Sequence, residues 1–181
     1  WEEPRHIWTW GNSYRRDDVL TEADATPRIT AHIRDAVDRF VREHGARRLA
    51  EKTPSNCLRL RFVRAVFPEA RMLLIVRDGR SVLRSTDEIM RRGTPLKRIW
   101  RRAAQTPVTD WPAFAGAAAD VAVRRVTGRR LRYWGPKPPG WRQWARADSA
   151  MTILAKHWAA LVTAPGDEIS QMDPATTLIF P

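Results

Sequence analysis

The chain has 181 residues, 43% of them hydrophobic, with nine Trp and a formal net charge of +12. That length and composition fit one ordinary hydrophobic core and exclude an intrinsically disordered chain. The single cysteine excludes an internal disulfide framework, and no run approaches the ~20 apolar residues of a membrane span.

In chain order, Trp1-Glu2-Glu3-Pro4 lacks a charged segment followed by an apolar one, so a soluble, cytoplasmic chain without an export signal is expected. Thr26-Pro27 forms an N-cap and first-turn pair. It is followed by Ile29, Ile33, Val37, Phe40 and Val41 at helical spacing and closed by Gly45, which predicts an amphipathic helix. Arg48 to Ala50 fits a short strand leading into Lys52. Ser55 can then cap a helix from Cys57 to Phe67, with Leu58, Phe62, Val63 and Val66 inward and Cys57 as a small apolar core residue. Pro68 stops that helix, and Met72 to Val76, without polar alternation, reads as a buried parallel strand. Helix and buried strand in alternation predict an α/β fold with a parallel sheet flanked by helices.

Residues Arg77 to Ser85, Arg-Asp-Gly-Arg-Ser-Val-Leu-Arg-Ser, follow that strand and open a further helix, read from Ser81 to Met90 and ended by Gly93 with Pro95. At a strand, turn and helix junction the first helical N–H groups are unpaired and the macrodipole is positive, so an anion is stabilised there. Arg77 adds a planar fork suited to phosphate. Ser85, eight positions on, can fall on the same side of the first two helical turns. Arg80 can reach the same phosphates or pair with Asp78 or Glu88. A nucleotide phosphate is the natural guest.

Beyond Leu96 the texture changes. Trp100, Trp111, Trp134, Trp141 and Trp144 alternate with Arg and Pro, Pro112 to Val126 fits a helix of small residues, and 134–141 is turn and extended structure by its Pro and Gly content. Between Arg84 and Arg146 stand 15 Lys or Arg against four acids, so almost all the excess positive charge lies here. Such a field attracts an anionic donor or an acidic acceptor, although a solvated Arg-rich surface gives the same count. Met151 to Val162 predicts one more helix, with Ile153, Leu154, Trp158 and Leu161 along its apolar face. His6, His32, His44 and His157 show no metal-ligand spacing, and no metal is expected.

Three elements together, Glu51-Lys52-Thr53-Pro54, Phe67-Pro68-Glu69-Ala70-Arg71 and Arg77-Asp78-Gly79-Arg80 with Ser85, resemble the sulfotransferases that use 3′-phosphoadenosine 5′-phosphosulfate (PAPS). The likeness is greatest to bacterial members and to the related tyrosylprotein sulfotransferases. The resemblance implies P-loop NTPase-like layers in a single domain, 1–181. It also implies that Arg77 and Ser85 hold the 3′-phosphate of the donor, with Arg80 beside them. Lys52 is similar to the lysine that stabilises the bridging oxygen, and Glu3-Pro4 resembles the element that carries the catalytic base, with Glu51 as a competing base. The acceptor it implies is a small molecule, a carbohydrate or a peptide, through a hydroxyl or amine. The Trp-Gly-Pro element at 134–136 is similar to one on the acceptor side of some bacterial members.

Neither Gly-x-x-x-x-Gly-Lys-Ser/Thr nor a Lys/Arg-Ser-Gly-Thr-Thr loop for the 5′-phosphosulfate is found in these 181 residues. The expectation is therefore a sheet incomplete at its N-terminal side, with exposed strand edges and apolar surface, and impaired or absent transfer by this chain alone. The reading from a different class is a nucleic-acid or polyanion binder acting through the basic Trp-rich segment, the less favoured of the two.

Overall fold

The structure is a computed structural model that describes residues 17–92 and 135–180, with a few isolated positions between them. Its regular elements are helices α1 (Pro27–Glu43), α2 (Leu60–Val66), α3 (Gly79–Arg92), α4 (Trp141–Ala147) and α5 (Ala150–Ser170), and strands β1 (Met72–Ile75) and β2 (Thr177–Phe180). Short 3₁₀ turns at Glu22–Asp24 and Pro54–Leu58 precede α1 and α2. β1 and β2 pair in parallel, with Met72 opposite Thr177 and Ile75 opposite Phe180, and the ladder is extended by Met72 N–H to the Thr176 carbonyl and Val76 N–H to the Phe180 carbonyl, each 2.8 Å. Among the described residues the fold is thus α/β, with helices and a small parallel two-stranded sheet. No described helix is long and apolar enough to cross a membrane.

The described residues fall into two compact units, one of 17–77, 135–140 and 159–180, the other of 78–92 and 141–158 with the isolated positions. The first unit holds two apolar clusters. Leu20, Ile33, Phe62 and Val66 pack together with Ile29, Val63 and Phe67 around them, while Leu60, Leu74 and Ile169 pack with Cys57, Met72, Val76 and Met172. Each fully buried side chain of this kind contributes about 1.5–3 kcal/mol. Arg34 ties α1 to the end of α2, its Nε donating to the Val66 carbonyl at 2.8 Å and its guanidinium pairing with Glu69 at 2.9 Å. That bond satisfies one of the carbonyls left orphaned at a helix C-terminus.

α1 begins and ends where the sequence places it. The Thr26 hydroxyl accepts from Ile29 N–H at 3.4 Å, Pro27 takes the first turn, and Gly45, at φ +57°, leaves the helix through the left-handed region. Four other expectations are corrected. Arg48–Ala50 is irregular, pairing with no strand among the described residues. The helix expected from Cys57 to Phe67 is a 3₁₀ turn followed by α2, broken at Arg59, where the Leu58 carbonyl accepts from Leu20 N–H at 3.4 Å.

The strand expected to be buried on both faces is buried on one. Leu74 lies in the core, while Leu73 and Ile75 are 57% and 63% exposed. Residues alternate across a strand, and the second apolar cluster covers one face only. Finally, α5 continues past Val162 to Ser170 through Pro165, which has no N–H for the Leu161 carbonyl; complete burial of Pro165 and the seating of Ile169 beside Leu60 and Leu74 hold the extra turns. The helix expected over Pro112–Val126 lies mostly outside the described residues, although Ala119, Ala122, Val123 and Val126 have helical backbone.

Candidate functional site

The Lys52 turn belongs to the first unit. Thr53 precedes the 3₁₀ turn, Pro54 sits in its first position, and Asn56 N–H returns to the Thr53 carbonyl at 3.0 Å. The Asn56 side-chain amide donates to the Glu51 carboxylate, so a hydrogen bond closes across the four residues 52–55 and leaves Lys52 exposed on the resulting bend. Glu51, which the sequence allows to pair with Lys52 or Arg48, is therefore held by Asn56. The other amide atom, Asn56 Oδ1, is buried with no hydrogen-bond partner. Cys57 follows, its thiol pushed up by burial, with the Lys52 charge acting weakly the other way. A protonated, half-buried thiol packed beside Leu60, Leu74 and Ile169 serves the core and not nucleophilic chemistry.

The Arg77-to-Ser85 stretch crosses from one unit to the other. Arg77 is exposed and closes the first unit just past β1; Asp78 opens the second. Within that second unit Asp78 is the N-cap of α3, since its Oδ1 accepts from Ser81 N–H at 2.9 Å and from the Ser81 hydroxyl at 2.9 Å. The Ser81 backbone N–H, then its hydroxyl, hold the Asp78 carboxyl below the usual carboxylate range; the Arg80 charge adds a smaller pull. The positive end of α3 thus carries a carboxylate of its own, which sequence reasoning missed although Asp before Gly-x-Ser is the composition of a cap. Val82, Thr86 and Met90, four apart, form the inward stripe, with Thr86 and Met90 buried. Ser85 lies outside that stripe and is exposed together with Arg80, Ser81, Arg84 and Glu88.

A third group, also in the second unit, is aromatic. The Tyr133 ring lies 5.0 Å from that of Trp141 and 5.1 Å, edge-on, from that of the buried His157, and the Arg142 guanidinium stands 5.5 Å over Trp141. The segment 136–138 is fixed separately, within the first unit, by Asp18. Asp18 N–H donates to the Lys137 carbonyl at 2.8 Å, and Lys137 N–H returns to the Asp18 carboxylate at 3.0 Å.

Glu3 and His6 lie outside the described residues, as do Trp100, Trp111 and Trp134. His32 is exposed, and His44 Nδ1 bonds the Phe40 carbonyl at 2.9 Å. No group of three or more His, Cys, Asp or Glu able to hold a metal occurs among the described residues. Two anchors escaped the sequence reading, Asn56 beside Lys52 and Asp78 beside Arg77. Each is a short polar residue in a turn, the type that bonds nearby backbone or side chains.

A family model described as Sulfotransferase family matches residues 11–126, more than half of the chain. No curated protein and no solved structure matches it.

Proposed function

We propose, from the premise that this chain belongs to the sulfotransferase family, that it takes PAPS as sulfuryl donor and passes the group to a hydroxyl or amine acceptor. Residues 1–181 form one sulfotransferase-like domain in this reading, with β1 and β2 as members of a P-loop NTPase-like layered sheet and a cytoplasmic location. Arg77 and Ser85 bind the donor's 3′-phosphate, Arg80 assists, and the basic stretch 96–146 serves the acceptor. The observation that supports the reading is the order of elements along the chain, β1, Arg77 and then α3, with Arg77 exposed in the first unit and Ser85 exposed on α3 in the second. A guanidinium fork and a hydroxyl are the donor types that a phosphate monoester accepts from.

In the transfer, the acceptor oxygen or nitrogen forms a bond to sulfur while the bond from sulfur to the bridging oxygen breaks. The bridging oxygen leaves with the adenosine bisphosphate, PAP. Lys52 meets the negative charge that develops on that oxygen, and the acceptor proton goes to Glu3. Glu51 is the poorer base of the two candidates, because its carboxylate is already engaged by the Asn56 amide. A small molecule, a carbohydrate or a peptide is the acceptor class.

The test is calorimetry with PAP at low and moderate salt, on the chain and on Arg77→Ala. The expected result is binding with preference for a 3′-phosphate over adenosine 5′-monophosphate, weakened roughly tenfold to a hundredfold in the variant, the loss of charge-assisted hydrogen bonds. A folded chain that ignores PAP, or an Arg77→Ala variant that binds it unchanged, overturns the reading.

A further inference from the structure

We propose that Trp158 is a positioning residue for donor binding: its indole fixes the start of α3, the helix that carries Ser85, through a close approach that glycine at position 79 accommodates without displacement. This rests on the assignment of Ser85 to the donor phosphate. A Cβ placed on Gly79 would meet Cε2 of Trp158 at 3.1 Å and Cδ2 and Cζ2 at 3.2 Å, closer than ordinary van der Waals contact. Gly79, Asp78, Ser85 and Trp158 all belong to the second unit.

Glycine is not at position 79 for its backbone freedom. Among the described residues the glycines with positive φ are Gly45, Gly135 and Gly140, and Gly79 is not one of them. On helix propensity alone alanine would be the better first residue of α3. The indole face is the remaining reason for hydrogen at this place. Nor is the ring free to yield, since the stretch of α5 that leads into it is held by the buried Ile153, Leu154 and His157. A methyl group at 79 therefore moves the turn and not the ring. That turn holds the Asp78 cap on its N-terminal side and Arg80 on the other, and Ser85 rides on the same rigid helix six residues on. Displacements of a few tenths of an ångström at a helix start are carried to every side chain on its first two turns, and hydrogen bonds to phosphate fall off steeply with distance and angle.

The experiment titrates PAP into the chain, Gly79→Ala, Trp158→Leu, the double variant and Arg77→Ala, with far-UV circular dichroism and Tm recorded for each. Gly79→Ala is expected to weaken PAP about tenfold, the worth of one hydrogen bond to a charged group, without loss of helicity. Trp158→Leu, which has no atoms at the Cε2 and Cζ2 places of the indole, restores most of that affinity in the double variant. A role in packing alone would not produce this rescue of binding. Gly79→Ala with unchanged affinity, or a folded double variant as weak as Gly79→Ala, overturns the inference while leaving the donor site intact. If Gly79→Ala does not fold, the double variant decides by the same criterion against the unsubstituted chain. Absent PAP binding by the unsubstituted chain, or indifference to Arg77→Ala, overturns the donor reading itself and this inference with it.

Discussion

Asp78 places a negative charge beside the residues assigned to a phosphate. Its carboxylate serves α3 by taking the Ser81 N–H, yet it opposes an incoming anion through the same proximity. Asparagine caps a helix about as well as aspartate and carries no charge. Asp78→Asn should therefore leave Tm nearly unchanged and tighten PAP binding by roughly twofold to fivefold, as read by calorimetry at low salt. Glu168 is the opposite case, a carboxyl raised above the ordinary glutamate range by burial, with the Arg61 charge and backbone N–H pulling it down and Glu22 pushing it up. One of its oxygens is buried without a hydrogen-bond partner. A raised folded pKa means that the native chain holds the proton more tightly than the unfolded one. The contribution of Glu168 is thus fully present below the ordinary glutamate pKa and is lost as pH rises through the folded value. Glu168→Gln should raise Tm at pH 8 by roughly 2 °C, a small figure because the group is part-exposed, and change nothing at pH 4.

At the scale of elements, β1 shows what its neighbours decide. Leu74→Ala should cost about 2–4 kcal/mol, because it empties a place beside Leu60 and Ile169, whereas Ile75→Ala on the same strand should cost under about 1 kcal/mol. Urea midpoints for the two variants give the comparison. The existence of β1 was legible in five consecutive apolar residues; its half-burial was not, because it depends on which elements cover each face. The same distinction runs through the chain. α1 was read to both ends because its signals, Thr26, Pro27 and Gly45, act within a turn of where they stand. The break before α2 was hidden, since it answers to a backbone bond from Leu20, nearly forty residues earlier. The last helix, read only to Val162, runs on through Pro165 to Ser170 because tertiary burial holds the extra turns. Of the candidate site, Arg77, Lys52 and Ser85 were legible as types in a spacing. Their anchors Asp78, Asn56 and Trp158 were not, because a cap, a side-chain clasp and a ring over a glycine are made in space.

Across the whole molecule, the unevenness of its surface is the main determinant of behaviour in solution. Leu73, Ile75, Leu178 and Phe180 stand at paired register positions on one face of the sheet, and the last two are 59% and 60% exposed. Parallel sheets are ordinarily covered on both faces. The expected outcome is bound hydrophobic dye, with fluorescence that drops in the double variant Ile75→Thr/Phe180→Thr while Tm shifts little; dye binding unchanged by the pair would count against this face as its source. The net charge of +12 works against association through such a patch, so salt that screens it should increase light scattering.

The pairing of β1 with β2 also sets a clock. Met72 meets a residue roughly a hundred positions further along the chain, and at ribosomal speeds of ~5–20 residues per second β1 waits roughly 5–20 s before its partner has been made. During that interval Leu73 to Ile75 has neither a ladder nor the cover of Ile169, which is itself still to be synthesised. The helices of the early segment can settle first, while the sheet is a late event whose yield depends on what shields a short apolar strand on the nascent chain. A chaperone that holds extended apolar segments would act on this protein at that stage, before the sheet has formed.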